Sequence, residues 1–328
     1  MLKVVFMGTP DIAKLSLERI YESGHEILAV VTTPDTQKGR GMKLSMSPVK
    51  EYSIEKGFDI YQPEKIRKNN EFIDKIKELN PDIICVVAYG KILPKSLLEI
   101  PKYGCINVHP SLLPKYRGPA PIQWAILNGD KTTGVSIMYL DEGMDTGDII
   151  LQEKTEINKN ETTGDLWNRL SIIGANLIVT AMQQIEEGIA PRIKQEGESS
   201  IAPMLEKEIA RINWSEKTGI EITNLVRGLN PIMGAYSYLE GKKMKFWNTE
   251  YLKNEDVVKE FPELEEYLYK LKDVDSGTVL FSDSKKGLFI KVKDGILKAI
   301  EIQPENSKRM SACDYLRGNP IEIGKIFE

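Results

Sequence analysis

Short runs of Val, Ile and Leu recur through the first half of the chain. They occur at "LKVVFM" (2–7), "EILAVVTT" (26–33), "DIICVVAYG" (82–90) and "GCINVH" (104–109). Between them lie amphipathic stretches that predict helices around 10–23, 70–79 and 92–99. Continuously apolar strands separated by helices predict a parallel sheet covered on both faces. "TTGVSIMYL" and "GDIILQEKTEI" then predict an antiparallel pair joined by a Gly-rich loop. Leu166, Leu170, Ile173, Leu177, Ala181 and Ile185 recur at spacings of three and four, which predicts one long helix.

From 186 the pattern dissolves into polar residues with Pro and Gly, and residues 189–208 are expected to be a linker. Beyond it the pattern changes. A helix near 215–228 precedes short strands at "AYSYL", "KMKFWNTEYL", "SGTVLF", "GLFIKV" and "LKAIEIQ", separated by Gly, Asp and Lys turns. Such strands predict a small β-barrel, with the charged piece 253–273 decorating one of its loops. The expected organisation is a Rossmann-like α/β domain over 1–188, the linker, and a barrel domain over 209–328. No internal repeat is present.

Length and composition fit this division. A chain of 328 residues, 41% of them apolar, is long for one domain and has a core to spare for two. Its 3 cysteines are scattered, which argues against a disulfide framework and fits a reducing cytosol. The N-terminal run is too short for a secretory signal, and no apolar run reaches the length of a membrane span. The net charge of −4 offers no global attraction to a polyanion. From residue 210 onward basic and acidic residues balance, so the excess of acid lies in the first part. Nucleic acid would have to be held by local basic patches.

The chemistry gathers in "INVHPSLLPKYRGPAPIQ" (106–123), which carries one of the chain's 2 histidines. Asn107 and His109, two apart at the end of a strand, share a side of the sheet. In open α/β sheets functional groups collect where strands end at their carboxyl edge. The pair could stabilise an oxyanion and move a proton, or it could serve only the backbone at a strand end. Pro110 and Pro114 favour the first reading, because a frozen loop at a sheet edge suits holding a ligand.

The Gly-punctuated loop "YLDEGMDTGDII" (139–150) supplies four acids, Asp141, Glu142, Asp145 and Asp148, among which a carboxylate partner can be sought. Its spacing does not fit a calcium loop, and no Cys/His set completes a zinc site, so no metal is expected. "VVFMGTP" has one glycine where a dinucleotide fingerprint needs three, and no phosphate-binding P-loop occurs, so neither NAD nor ATP is indicated. His25 has no partner in sequence and reads as a surface residue. The basic segment "TTPDTQKGRGMKLSMSPVK" (32–50) is either a solvated loop or a clamp over a polyanionic substrate, with Lys38, Arg40 and Lys43 as its contacts.

Taken together, "VVFMGTPDIA", "GRGMKLSMSPVK", "INVHPSLLPKYRGPAPIQWAI", "GVSIMYLDEGMDTGDII", "RINWSEKTGIEITNLVRGLNPIMGAY" and "KRMSACDYLRGN" resemble the folate-dependent formyltransferases. The "GRG…SPVK" segment and the second domain narrow the resemblance to those acting on methionyl-tRNA. It spans nearly the whole chain. It implies transfer of the formyl group of 10-formyltetrahydrofolate to the α-amine of an initiator methionyl-tRNA, in the cytoplasm, by a monomer. It implies a catalytic trio of Asn107, His109 and Asp145. It further implies a reduced-folate site lined by Ser111, Leu112, Leu113 and Pro114, and an oligonucleotide-binding-type barrel for tRNA. Three departures from the family pattern bear on the grip on tRNA. They are Met42 in the basic segment, Asn213 where "RIDW" is usual, and "PIMGAY" for "PWPGAY". A formyltransferase for a small amine would share the trio without needing the basic segment or the barrel. A non-catalytic folate- or RNA-binding protein would not need the trio.

Overall fold

The structure is a computed structural model. It describes every residue except 39–42, 254, 257–258, 260, 263–264 and 266–272, and describes the backbone alone at 37, 38 and 43. Contacts divide the chain into two compact units. Unit 1 comprises Met1–Ile122, Thr132–Glu156 and Leu166–Met204; unit 2 comprises Gln123–Lys131, Ile157–Asp165 and Leu205–Glu328.

Unit 1 begins with β1 (Lys3–Gly8), α1 (Asp11–Glu22) and β2 (Glu26–Val31). In the basic segment β3 (Thr36–Lys38) pairs antiparallel with β4 (Lys43–Ser45), and α2 (Pro48–Lys56) follows. "SPVK" starts that helix because the Ser47 hydroxyl accepts the Lys50 N–H and Pro48 stands where no N–H is needed. Then come β5 (Ile60–Tyr61), α3 (Asn70–Leu79), β6 (Ile83–Val87), a single turn α4 (Lys95–Leu98) and β7 (Cys105–His109). After α5 (Pro121–Leu127) the chain forms the antiparallel pair β8 (Thr132–Tyr139) and β9 (Ile149–Glu156), and then α6 (Thr163–Glu186).

The sheet has 7 strands in the order β5-β2-β1-β6-β7-β8-β9, parallel from β5 to β7. β6 is buried along its whole length and β1 from its second residue on, as expected for strands covered on both faces. One cover contributes Phe72 and Ile76 against Val5, Met7, Ile84 and Val86. The other is α6. Its buried stripe is Leu166, Leu170, Ile178, Ala181 and Ile185, whereas the expected Ile173 and Leu177 are only half-buried. At Gly174 a Cβ would lie 2.7 Å from Val108, so the helix approaches β7 closely where it has no side chain.

The expected linker is not a free connector over its whole length. Ile193 exchanges backbone bonds with Ile149, and Arg117 does so with Ser200 and Ala202. Residues up to Met204 therefore belong to unit 1.

In unit 2, α7 (Gly219–Gly228) starts at a capping box made by Thr218 and Glu221, later than the expected 215. Residues 213–216 form a turn instead, in which Asn213 Oδ1 accepts the Glu216 N–H. An aspartate would offer the same oxygen, so this departure leaves the turn intact. The strands β10 (Ala235–Leu239), β11 (Lys242–Leu252), β12 (Val279–Asp283), β13 (Gly287–Val292), β14 (Gly295–Pro304) and β15 (Met310–Ser311) precede α8 (Ala312–Gly318). They form an antiparallel sheet in the order β10-β11-β14-β13-β12, with β15 against β14. The C-terminal residues close it. Glu328 bonds to Tyr238, while Lys325 and Phe327 bond to Val279 and Gly277 at the other edge. Trp214 packs against Phe246 and Phe327 inside, and its indole N–H is taken by Ser237. Much of the piece 253–273 lies outside the described residues.

Candidate active site

β7 delivers Asn107 and His109 to one side of the sheet. His109 is buried, and Asn107 is half-exposed. Among the described residues, none hydrogen-bonds the Asn107 amide, so its donors are available. The chain beyond β7 is held by side chains from neighbouring strands. The Ser136 hydroxyl, on β8 beside His109, donates to Ser111 O (2.6 Å) and accepts from Leu113 N (3.1 Å) and Gln152 Nε2 (2.8 Å). Gln152 also donates to Leu113 O. Ser111 donates its own hydroxyl to Lys115 O at 2.6 Å. Leu113 packs with Met138 and Ile149, and the Leu113–Pro114 bond is cis.

This bracing carries the chain to Tyr116, at a φ of 61°, where the carbonyl lies 2.9 Å from His109 Nε2. A carbonyl only accepts, so Nε2 carries the proton in the neutral ring, and Nδ1 is the atom free to take or give one. Nδ1 lies 3.6 Å from Asp145 Oδ2. The same carboxylate oxygen accepts the Gly118 N–H at 2.8 Å. Asp145 sits at a φ of 54°. Two residues on, a Cβ on Gly147 would lie 1.9 Å from Tyr139 O, so only glycine lets this loop fold back so tightly. Asp141, by contrast, is consumed inside the loop, accepting from Gly143 N and Thr146 Oγ1.

Burial holds the His109 imidazole below its ordinary value of 6.5, and the Asp145 charge and the Tyr116 carbonyl pull it back only in part. At rest near neutral pH the ring is a neutral base at Nδ1. A carboxylate stands ready to stabilise the imidazolium once it forms. A half-exposed amide donor stands two residues away on the same strand. This arrangement can take a proton from an incoming nucleophile and donate to an oxygen that gains charge.

The sequence model described as "Formyl transferase" matches residues 2–182, and that described as "Formyl transferase, C-terminal domain" matches residues 204–320. The chain belongs to the formyl transferase family. It is 49% identical over 326 residues to the methionyl-tRNA formyltransferase of Clostridioides difficile (strain 630), covering 99% of both chains. It is 43% identical to the methionyl-tRNA formyltransferase of Caldanaerobacter subterraneus subsp. tengcongensis, covering 100% of both. Among solved structures it resembles WlaRD, a sugar 3N-formyl transferase crystallised in the presence of dTDP and 5-N-formyl-THF. The TM-score is 0.63 and the identity 21%, over 94% of this chain and 99% of that one.

The remaining sequence expectations fare differently in this formyl transferase. Asn107, His109 and Asp145 all lie in unit 1, and the structure brings His109 and Asp145 together. The Ser111 hydroxyl and Leu113 side chain are used inside the protein, leaving Leu112 and Pro114 half-buried as side chains the loop can present. Lys38 and Lys43 are partners where β3 pairs with β4, and Arg40 lies outside the described residues. Lys50 is committed to Asp35, 2.7 Å away, which also accepts from Gln62. His25 is half-buried, and its Nδ1 accepts the Leu2 N–H. Among the described residues no group of three or more His, Cys, Asp or Glu could hold a metal ion.

Sequence reasoning missed two further sets of residues. Thr9 Oγ1 and Tyr89 Oη are buried without partners among the described residues, just beyond the adjacent carboxyl ends of β1 and β6. Burial pushes the Tyr89 hydroxyl up to about 12, so it stays a donor. Strand order reverses between these two strands, which is where open α/β sheets bind ligands. On the barrel, cations lie over aromatic rings: Lys243 over Tyr236 (3.6 Å), Arg309 over Trp247 (4.5 Å) and Arg211 over Tyr238 (5.6 Å). The period-two alternation in "AYSYL" and "KMKFW" signals this face.

Proposed function

We propose that the chain transfers a formyl group from 10-formyltetrahydrofolate to the α-amine of initiator methionyl-tRNA, with Asn107, His109 and Asp145 carrying the chemistry. The observation that carries this reading is the buried imidazole with Nε2 committed to Tyr116 O and Nδ1 facing Asp145. Relatives sharing 43–49% of its residues over the whole chain are methionyl-tRNA formyltransferases, which supports the tRNA substrate over a small amine.

Asn107 donates to the formyl oxygen as charge develops there, an interaction worth about 3 kcal/mol when preorganised. His109 Nδ1 takes the proton released by the attacking amine, directly or through water. The Asp145 carboxylate then stabilises the imidazolium, which returns the proton to the departing folate nitrogen. The braced segment Ser111–Pro114 forms one fixed wall of the folate site and holds the reacting atoms in line. The orphan hydroxyls of Thr9 and Tyr89 fit a polar, heteroatom-rich ligand at the same sheet edge. Lys38, Arg40 and Lys43, with the aromatic-backed cations of the barrel, grip the tRNA through its phosphates.

The test is formyl transfer from 10-formyltetrahydrofolate to methionyl-tRNA and, separately, to small primary amines. Efficient transfer to methionyl-tRNA alone is the expected result. Preference for a small amine would overturn the substrate assignment.

A further inference from the structure

Gln195 lies in the polar stretch expected to be a linker, yet its amide is fully engaged. Nε2 donates to the carbonyls of Asp145 and Gly147, both at 2.9 Å. Oε1 accepts from Arg117 Nε at 3.0 Å and Nη2 at 2.7 Å. Arg117 follows Tyr116, whose carbonyl fixes His109 Nε2, and precedes Gly118, whose N–H fixes the Asp145 carboxylate. One side chain therefore ties the backbone that carries Asp145 to the backbone that orients His109. The tie is itself anchored, because Ile193 pairs with Ile149 and Arg117 with Ser200 and Ala202.

We infer that Gln195 is a positioning residue for catalysis, clamping the Asp145 loop against the Arg117 loop so that the carboxylate faces His109 Nδ1. The left-handed backbone at Asp145 gives the clamp its purpose. A non-glycine residue at a φ of 54° persists only where its surroundings over-determine it. The two Gln195 bonds flank that residue, one to its own carbonyl and one to the carbonyl of the glycine two positions on. Glutamine fits because the position needs an acceptor for the guanidinium and two N–H donors for the carbonyls. Glutamate would keep the acceptor and lose both donors. The inference rests on the reading of Asp145 as part of the catalytic trio.

The full-length protein with Gln195→Ala and the near-isosteric Gln195→Glu tests it in single-turnover formylation of methionyl-tRNA. Both variants are expected to lose about tenfold to a hundredfold in kcat, the scale of a misplacement of about 1 Å, with KM for methionyl-tRNA within about twofold. In an Asp145→Asn background the Gln195 substitutions should cost little more, since the group they position is already lost. If the alanine variant loses stability, the glutamate variant carries the test alone. A folded Gln195→Glu protein with unchanged kcat overturns the inference. So does a rise in KM with kcat intact, or a full additional loss in the Asp145→Asn background. An Asp145→Asn protein with normal turnover would overturn the trio itself, and that failure is read from the single variant.

Discussion

The two units use polar side chains in opposite ways. In unit 1 they are drawn to the carboxyl ends of parallel strands. There the Ser136, Gln152 and Gln195 side chains satisfy loop after loop, and Asn107 and His109 Nδ1 keep hydrogen-bonding capacity to spare. In unit 2 the sheet closes on itself, and a buried polar chain closes with it: Trp214 donates to Ser237, which donates to Glu328 O. What remains outward is a face of cations lying over rings. A parallel sheet gathers strand ends at one edge and concentrates unspent groups there. A closed antiparallel barrel ties buried polar groups such as Ser237 into its closure and offers surface instead. The proposed function accordingly puts chemistry on the first unit and broad contact on the second.

The sharpest way to break this contrast is to damage unit 2 and look for a chemical defect. Trp214→Ala should destabilise the protein by about 3–5 kcal/mol, because it removes a buried indole packed between Phe246 and Phe327 and its hydrogen bond to Ser237. Denaturant unfolding measures the cost. The folded fraction should still bind a reduced-folate analogue, and loss of that binding would show that the units are not functionally separable.

The next effect lies within one loop of unit 1. Asp145→Asn should lower turnover about a hundredfold, because the imidazolium loses its counter-charge and Nδ1 faces an amide. Asp141→Asn should cost less than about threefold, since Asp141 only shapes the loop. Single-turnover rates of the two variants side by side decide it. Equal, modest losses would mean that the wrong carboxylate has been chosen.

A smaller effect tests the bracing. Ser136→Ala leaves the Leu113 N–H, the Gln152 amide and Ser111 O short of a partner in a buried site. It should cost about 2 kcal/mol of stability and weaken folate-analogue binding before it touches tRNA affinity. Unchanged folate affinity would detach Ser111–Pro114 from the donor site.

The smallest expected effect is a displacement on the pH axis. In the proposed mechanism the neutral His109 ring is the base, and burial places its folded value below 6.5. Protonation inactivates it, so the acid limb of kcat/KM should fall below 6.5. The unfolded chain binds the extra proton first, so stability also declines as pH drops through the same window. Asp145 is the charged side chain acting on this ring. Asp145→Asn should therefore move the acid limb to still lower pH, while titration of the substrate amine is common to both proteins. A limb that stays in place would separate Asp145 from His109.

Much of this was legible in the sequence, for reasons that also explain what was not. The strands β1, β6 and β7 announced themselves because both of their faces are buried and their apolar runs are unbroken. Asn107 and His109 stood out because two polar residues end such a run just before a proline. The strand pair inside 32–50 was hidden because Gly and Lys composition reads as loop, and its pairing depends on backbone bonds that leave no apolar period. The segment 189–208 was hidden for a related reason. Its structure comes from partners far away in the chain, Ile149 with Ile193 and Arg117 with Ala202, and a period search sees only neighbours. Gln195 was invisible on the same ground. The grouping of Gln123–Lys131 and Ile157–Asp165 with the barrel likewise follows from contacts distant in sequence.

The proposed chemistry turns on the imidazole at the end of β7. Single-turnover formylation of methionyl-tRNA by His109→Ala and Asn107→Ala, each checked by circular dichroism and thermal melting, should fall by about a hundredfold to a thousandfold or more. Both proteins should remain folded and still bind a reduced-folate analogue. A near-normal rate in either folded variant would contradict the assignment of the chemistry to this strand end.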